Sequence, residues 1–393
     1  MNTRNFSWLG VAYFLVLFNY PFVRASSTTL FVEVFGAKAS PQGWLVAVLL
    51  LLVAVGVSNK LQARLGFHRA FGIISVFSVL IFAASLWLHT SGVGAGSFIA
   101  FAWKEVYIVL QVHLLLAYAN SWLKRQEFLR WVGPLGAIGS IGGVAGGLAT
   151  SWMARQEGTL ATMILGLVFV LLPALFCLPL DRIEGTEVQT EKKNSPLSSL
   201  NTVALRRYVF SVAGIVALSQ VVINIADFQF SLVFEAALQE ASARTAYLGE
   251  VYTATNALTL AMQVLVLPLL LRSMKERTLH LLIPLSYLLC LFAGLNASAL
   301  MASAVFYTYL KASDYSFFSA AKELLYHPLQ PYQKYGAKYL TDMLVYRASK
   351  AFIAGVLIYF QSPTMLNGVT IAALVAWIGL VIQAFRQHRR LFN

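Results

Sequence analysis

Charged side chains recur in this sequence where an apolar environment should exclude them: Arg24, Lys104, Glu105, His113, Asp227, Lys311, Asp314, Asp342, Arg347 and Lys350 all interrupt long hydrophobic runs. A charge at mid-bilayer costs at least ~2.5–3.5 kcal/mol on insertion scales, so such groups normally face a bundle interior or a water-filled cavity. The chemistry they offer is the binding of small charged solutes. Arg24 is the strongest candidate to hold an anion, because guanidinium stays charged and presents planar, bidentate donors to phosphate or carboxylate. Ser27 and Thr28 follow it, and Asn224, Asp227 and Ser231 are spaced to share one helix face. Lys311 and Asp314, three residues apart, can form an internal ion pair. Arg347 and Lys350 also share a face but carry like charge, which is unfavourable unless a carboxylate or an anionic ligand lies between them. Arg347 therefore contacts a solute or gate, or pairs with Asp342, while Lys350 can snorkel to an interface.

Bond-making chemistry finds no comparable support. The sequence lacks HExxH, GxSxG, a phosphate-binding Walker loop, paired CxxC and a dinucleotide-binding glycine motif in its required context. Cys177 and Cys290 each sit within an apolar run, arguing against a disulfide framework or cysteine metal site. An enzyme, a nucleotide-hydrolysing pump and a cofactor are thus not expected. Tyr107, Tyr118, Phe228, Phe230, Tyr315 and Phe318 could stack on a flat ring such as a nucleobase, although membrane helices also use aromatics for packing. His113 reads as a hydrogen-bonded core histidine in preference to a proton relay.

The elements that must position these groups are membrane helices. Of the 393 residues 59% are hydrophobic and 11% charged, and mean hydropathy is +0.70, against roughly 25% charged residues in soluble domains. Runs of spanning length recur along the whole chain, near 8–34, 43–58, 70–89, 97–120, 133–153, 160–179, 207–236, 247–271, 279–296, 298–320, 336–360 and 367–385. The first is read as a retained helix, since Asn19, Tyr20, Pro21 and Arg24 interrupt its end and no cleavage site follows. The net charge of +13 is spread over alternate connections, a positive-inside pattern that excludes nucleic acid as the expected partner and places both termini in the cytoplasm. The polar stretch DRIEGTEVQTEKKNSPLSS divides the spans six and six, giving an N-terminal bundle over 1–180, a linker over 181–206 and a C-terminal bundle over 207–393. An all-α polytopic protein of two six-helix bundles resembles the major facilitator superfamily, whose solutes bind near the membrane midplane. Its loop signature is present in part, with Arg64 and Gly66 in place but Ala63 where an aspartate belongs. Gly139, Gly143 and Gly147, with Gly136, Gly142 and Gly146 nearby, allow close helix contact, either static or sliding.

Two segments carry a more specific likeness. KEVYIVLQVHLLLAYANSWLKRQEFLRWVGPLGAIGSIGG and YSFFSAAKELLYHPLQPYQKYGAKYLTDMLVYRASKA are similar to stretches of the ATP/ADP antiporter family, the nucleotide transporters of plastids and intracellular bacteria. The second contains Lys322, Glu323, Tyr326, Lys338, Asp342, Tyr346 and Arg347 at family positions, and weaker similarity covers NYPFVRASSTTLFVE and INIADFQF. The resemblance implies counter-exchange of nucleotides or related phosphorylated anions across a bacterial inner membrane, with Arg24, Glu105, Asp227 and Lys322 needed for transport. Ser27 and Thr28 stand where the family has a second basic residue and an aspartate, and Ser319-Ala320-Ala321 replaces its Asp-Pro. The expected solute-binding set is Arg24, Ser27, Glu105, Asn224, Asp227, Lys311, Asp314 and Lys322. Lys104, Glu323, Asp342, Arg347 and Lys350 are expected in gating or ion pairs. The expected partners are a small anionic solute and the lipid bilayer, with a monomer sufficient for function. The alternative is proton-coupled transport of another small anionic or amphipathic solute, with Asp227 or Glu105 taking the proton.

Overall fold

A computed structural model describes residues 3–123, 125–181, 200, 202–293 and 297–392. Most of the linker lies outside the described residues. All regular structure among the described residues is helical: α1 Thr3–Phe35, α2 Ser40–Thr90, α3 Ala95–Trp122, α4 Arg125–Cys177, α5 Val203–Ala237, α6 Ala241–Ala261, α7 Leu267–Ser273, α8 Glu276–Ala293, α9 Ala299–Ser313, α10 Ser319–Tyr326, α11 Pro331–Lys338, α12 Tyr346–Tyr359 and α13 Pro363–Phe392. Three π-helical turns, Met262–Val266, Asp314–Phe318 and Tyr339–Val345, join α6 to α7, α9 to α10 and α11 to α12.

The 51 residues of α2 and 53 of α4 would each be far longer than the ~20 residues a bilayer requires. Each is broken by one glycine, Gly66 at φ 75°, ψ 171° and Gly158 at φ 81°, ψ −179°. That backbone region is essentially restricted to glycine, so each break divides its helix into two membrane-length arms. Eight helices are long and apolar enough to span. Counting both arms of α2 and α4, and the charged runs through α9–α10 and α11–α12, the described residues form twelve spanning elements. The chain is a multi-pass membrane protein. Its outward belt is apolar, with Trp87, Val53, Leu265, Leu289 and Phe352 among the most exposed residues, as a hydrocarbon solvent allows.

The chain folds into two compact units. The first comprises Met1–Thr190 and Phe234–Leu260, so it takes the end of α5 and nearly all of α6 from later in the sequence. Its core includes Phe71, Phe82, Tyr107, Leu114 and Tyr118. Glycines of α4 split into two faces. Against α1, a side chain at Gly146 would overlap the Phe18 carbonyl, and one at Gly142 the Phe14 carbonyl. Against α6, a Cβ at Gly147 would lie 2.8 Å from the Gly249 carbonyl oxygen. Both backbones thus approach α4 because small residues admit them. The second unit comprises Glu191–Val233 and Ala261–Asn393. Trp377 of α13, 1% exposed, anchors its core against Tyr287 and Phe318.

Candidate functional site

In the first unit, α1 carries Arg24 one turn after Tyr20, and their stacking follows from that i, i+4 spacing. The guanidinium carbon lies 5.4 Å from the Tyr20 ring centre and 4.6 Å from that of Tyr252 on α6. Asn19, wholly buried, accepts a 3.0 Å hydrogen bond from the Tyr107 hydroxyl of α3 and donates to the Leu15 carbonyl. Lys104 and Glu105 are paired with each other at 3.0 Å, and the Lys104 ammonium sits 3.9 Å from the Phe101 ring centre. This pair balances itself within two residues of chain. Ser27 is fully buried and points its hydroxyl to the sulfur of Met163 at 3.9 Å, while Thr28 donates to the Arg24 carbonyl. Both hydroxyls expected to accompany Arg24 are therefore engaged in packing or in their own helix.

One end of the same unit holds a second polar set that sequence reasoning did not single out. Thr159 and Thr245 share a 2.8 Å hydrogen bond, and Thr245 donates to Thr29 at 2.9 Å. Arg155 and Ser151 both engage Glu250, and Glu235 accepts from the Ala37 amide at 3.0 Å. Arg244 closes the end of α5 by donating to the Leu238 and Glu235 carbonyls, the usual work of a cation at a helix C-terminus.

In the second unit the charges of α5, α9, α10 and the last π-helical turn meet in pairs. Lys311 lies 3.6 Å from Asp227, and Lys322 lies 2.8 Å from Asp342. The expected Lys311–Asp314 pair is thus supplemented by a cross-helix partner, with Asp314 within electrostatic reach of both lysines. The pairing of Arg347 with Asp342 considered from sequence is replaced by Lys322–Asp342, because the π-helical turn Tyr339–Val345 presents Asp342 to α10. Tyr326 hydrogen-bonds Thr341 and, at 3.4 Å, Asp342. Glu323 is held by Lys338 at 2.6 Å and Lys334 at 3.9 Å. The hairpin that brings them together is set by Pro331 at the start of α11 and by a reciprocal cap between Gln330 and Gln333.

Asn224 is buried and donates to the Gln220 carbonyl, and Ser231 donates to that of Asp227. The polar stripe of α5 consequently presents Asp227 as its working group. Of the six aromatics considered for ring stacking, Tyr107, Tyr118, Phe228, Phe230 and Phe318 are buried in packing, and Tyr315 is 47% exposed. Phe230 stacks on Tyr307, which also faces the Lys311 ammonium at 5.7 Å. The aromatic contacts to the cation in the first unit come from Tyr20 and Tyr252. Tyr20 was readable from its spacing to Arg24, whereas nothing in the sequence marks Tyr252. His113 is only half-buried and faces Asn59 at 3.3 Å, hydrogen-bonded as expected but not in the core. Arg347 and Lys350 are half-buried on α12.

The architecture is similar to solved transporters of major facilitator type. A bacterial homologue of the iron transporter ferroportin, in an inward-facing state, matches with a TM-score of 0.71 at 14% identity, covering 98% of this chain and 99% of that one. A D-xylose-proton symporter gives 0.67 at 13%, covering 98% and 97%. The nucleoside transporter NupG gives 0.65 at 14%, covering 99% and 100%. These likenesses establish a major-facilitator fold over essentially the whole chain. No family model and no curated protein sequence matches it.

Proposed function

We propose that this protein is an alternating-access carrier of small anionic solutes, and that it exchanges nucleotides or related phosphorylated anions. The observation that carries the reading is the seat of Arg24. The rings of Tyr20 and Tyr252 offset part of its charge through their quadrupoles. Replacing that modest attraction by a bidentate phosphate or carboxylate is favourable. The segments around Lys104–Gly143 and Tyr315–Ala351, similar to the ATP/ADP antiporter family, support a nucleotide as the solute, and a nucleoside transporter is among the proteins of like fold. The halves 1–180 and 207–393, joined by 181–206, are the bodies that exchange access, in a bacterial inner membrane with both termini cytoplasmic. A single chain suffices.

One observation favours the proton-coupled reading instead: Lys311 and Lys322, natural phosphate ligands, each already face a carboxylate. An anion must displace Asp227 or Asp342 to reach them.

The test uses purified protein in liposomes loaded with ADP, recording uptake of labelled ATP, ADP, NAD and phosphate. Uptake that requires internal nucleotide, and falls at least about tenfold in Arg24→Ala and Lys322→Ala, establishes exchange at these residues; a tenfold loss corresponds to ~1.4 kcal/mol of lost transition-state stabilisation. Uptake unaffected by both substitutions refutes the assignment, and uptake driven by a pH gradient without internal nucleotide selects proton coupling.

A further inference from the structure

Asp227, Lys311, Asp314, Lys322 and Asp342 form one connected row in the second unit. Its ends are the pairs Asp227–Lys311 at 3.6 Å and Lys322–Asp342 at 2.8 Å. Asp314 links them, being within electrostatic reach of both lysines. The π-helical turn Asp314–Phe318 accounts for that position. In an unbroken α-helix, eight residues advance about 800°, leaving Lys322 about 80° from Asp314; absorbing one extra residue in a π-turn reduces the offset to about 20°. The irregular turn thus aligns the carboxylate with the second lysine.

The row contains three carboxylates and two ammonium groups. From the elements packed around Asp314, α8 contributes the phenol of Tyr287, and the π-helical turn Met262–Val266 contributes Gln263, which donates to the Tyr315 carbonyl. Asp227 reaches the row from α5 and Asp342 from the turn before α12. Glu323, Lys334 and Lys338 form a neighbouring group of net positive charge, but each is at least a third exposed and shares its charge with water. A surplus negative charge therefore remains on the less accessible row, and a poorly hydrated interior does not leave such a charge uncompensated.

We infer that Asp314 is the site of an exchangeable proton, taken from water on one side of the membrane and released to water on the other. Protonated, Asp314 leaves Asp227–Lys311 and Lys322–Asp342 balanced. Ionised, it competes with those carboxylates for the same two lysines. The inference rests on the anion-carrier reading in its consequence: an anionic solute that takes a lysine from Asp227 or Asp342 strands a carboxylate. Solute binding and proton uptake are then mutually reinforcing, and the two travel together.

The experiment is infrared difference spectroscopy on the purified full-length chain in lipid, stepped between alkaline and acid buffer, for wild type, Asp314→Asn, Asp314→Glu, Asp227→Asn and Asp342→Asn. A protonated-carboxyl band that is lost in Asp314→Asn, returns shifted in Asp314→Glu and survives in the other two variants supports the proposal. A band that persists in Asp314→Asn, or is missing from wild type, overturns it. So does a carboxylate signal that answers to sodium against potassium at fixed pH, which assigns the row to a metal cation. Asp314→Glu, retaining the carboxylate, separates a lost proton site from a failure to fold. Added ADP or inorganic phosphate should raise the band at fixed pH; an intact Asp314 band indifferent to both upholds the proton site and places the failure in the anion-carrier reading.

Discussion

Removing the Lys311 ammonium should destabilise the second unit more than removing the Asp227 charge. The two groups lie 3.6 Å apart with only 15% and 19% of their side chains exposed. At an effective dielectric constant near 20, that separation corresponds to about 4–5 kcal/mol of attraction before desolvation is counted. Breaking a buried pair by deleting one partner typically costs ~3–5 kcal/mol, whereas replacing both partners by apolar groups is often close to neutral. Lys311→Met strands Asp227 and weakens the compensation of Asp314, so its expected cost is about 3 kcal/mol. Asp227→Asn leaves Lys311 within reach of Asp314, and its expected cost is about 1–2 kcal/mol. The double variant should recover about 2 kcal/mol relative to the sum of the singles. Equilibrium unfolding in mixed micelles, followed by tryptophan fluorescence, measures all four corners of the cycle. Additivity within about 0.5 kcal/mol, or equal losses from the two singles, would refute the account of a shared lysine.

The glycine faces of α4 give a sharper steric contrast. Gly146→Ala places a methyl group into the Phe18 carbonyl and should cost about 1–3 kcal/mol as an overpacked contact, lowering the thermal midpoint on size-exclusion chromatography; Gly56→Ala, with no atom within 4 Å of the new Cβ, should leave it unchanged. At the other extreme, Arg155 and Glu250 are 62% and 45% exposed. Glu250→Gln should therefore change stability by less than about 1 kcal/mol, and a larger loss in the same thermal assay would show that the contact is sheltered.

Much of the scaffold was legible because hydrocarbon imposes a length on every spanning helix. The reversals at Gly66 and Gly158 fall in connections that hydropathy placed between 58 and 70 and between 153 and 160, and the major-facilitator architecture follows from span count and linker. Charge placement was readable for the same reason, since Arg24, Lys104, Asp227 and Lys311 interrupt apolar runs. Partnership was not. Whether Lys311 faces Asp314 or Asp227, or Asp342 faces Arg347 or Lys322, depends on helix rotation, and the π-helical turns that set it have no composition of their own. Aromatic roles escaped for a related reason: Phe228 and Tyr252 look alike in sequence, but one is sealed in packing and the other reaches an arginine.

The interrupted makeup of the first unit bears on how the chain is made. Helix α4 leaves the ribosome with both glycine faces bare, and α1 can cover Gly142 and Gly146 at once. The partners of Gly143 and Gly147, Asn256, Thr253 and Gly249, are synthesised only after the linker and all of α5. Until then the α6-facing groove of α4 must be filled by lipid or by another part of the insertion machinery. Completion of the first unit is therefore a late event in biosynthesis, and chains interrupted before Leu260 should present that groove to quality-control proteases.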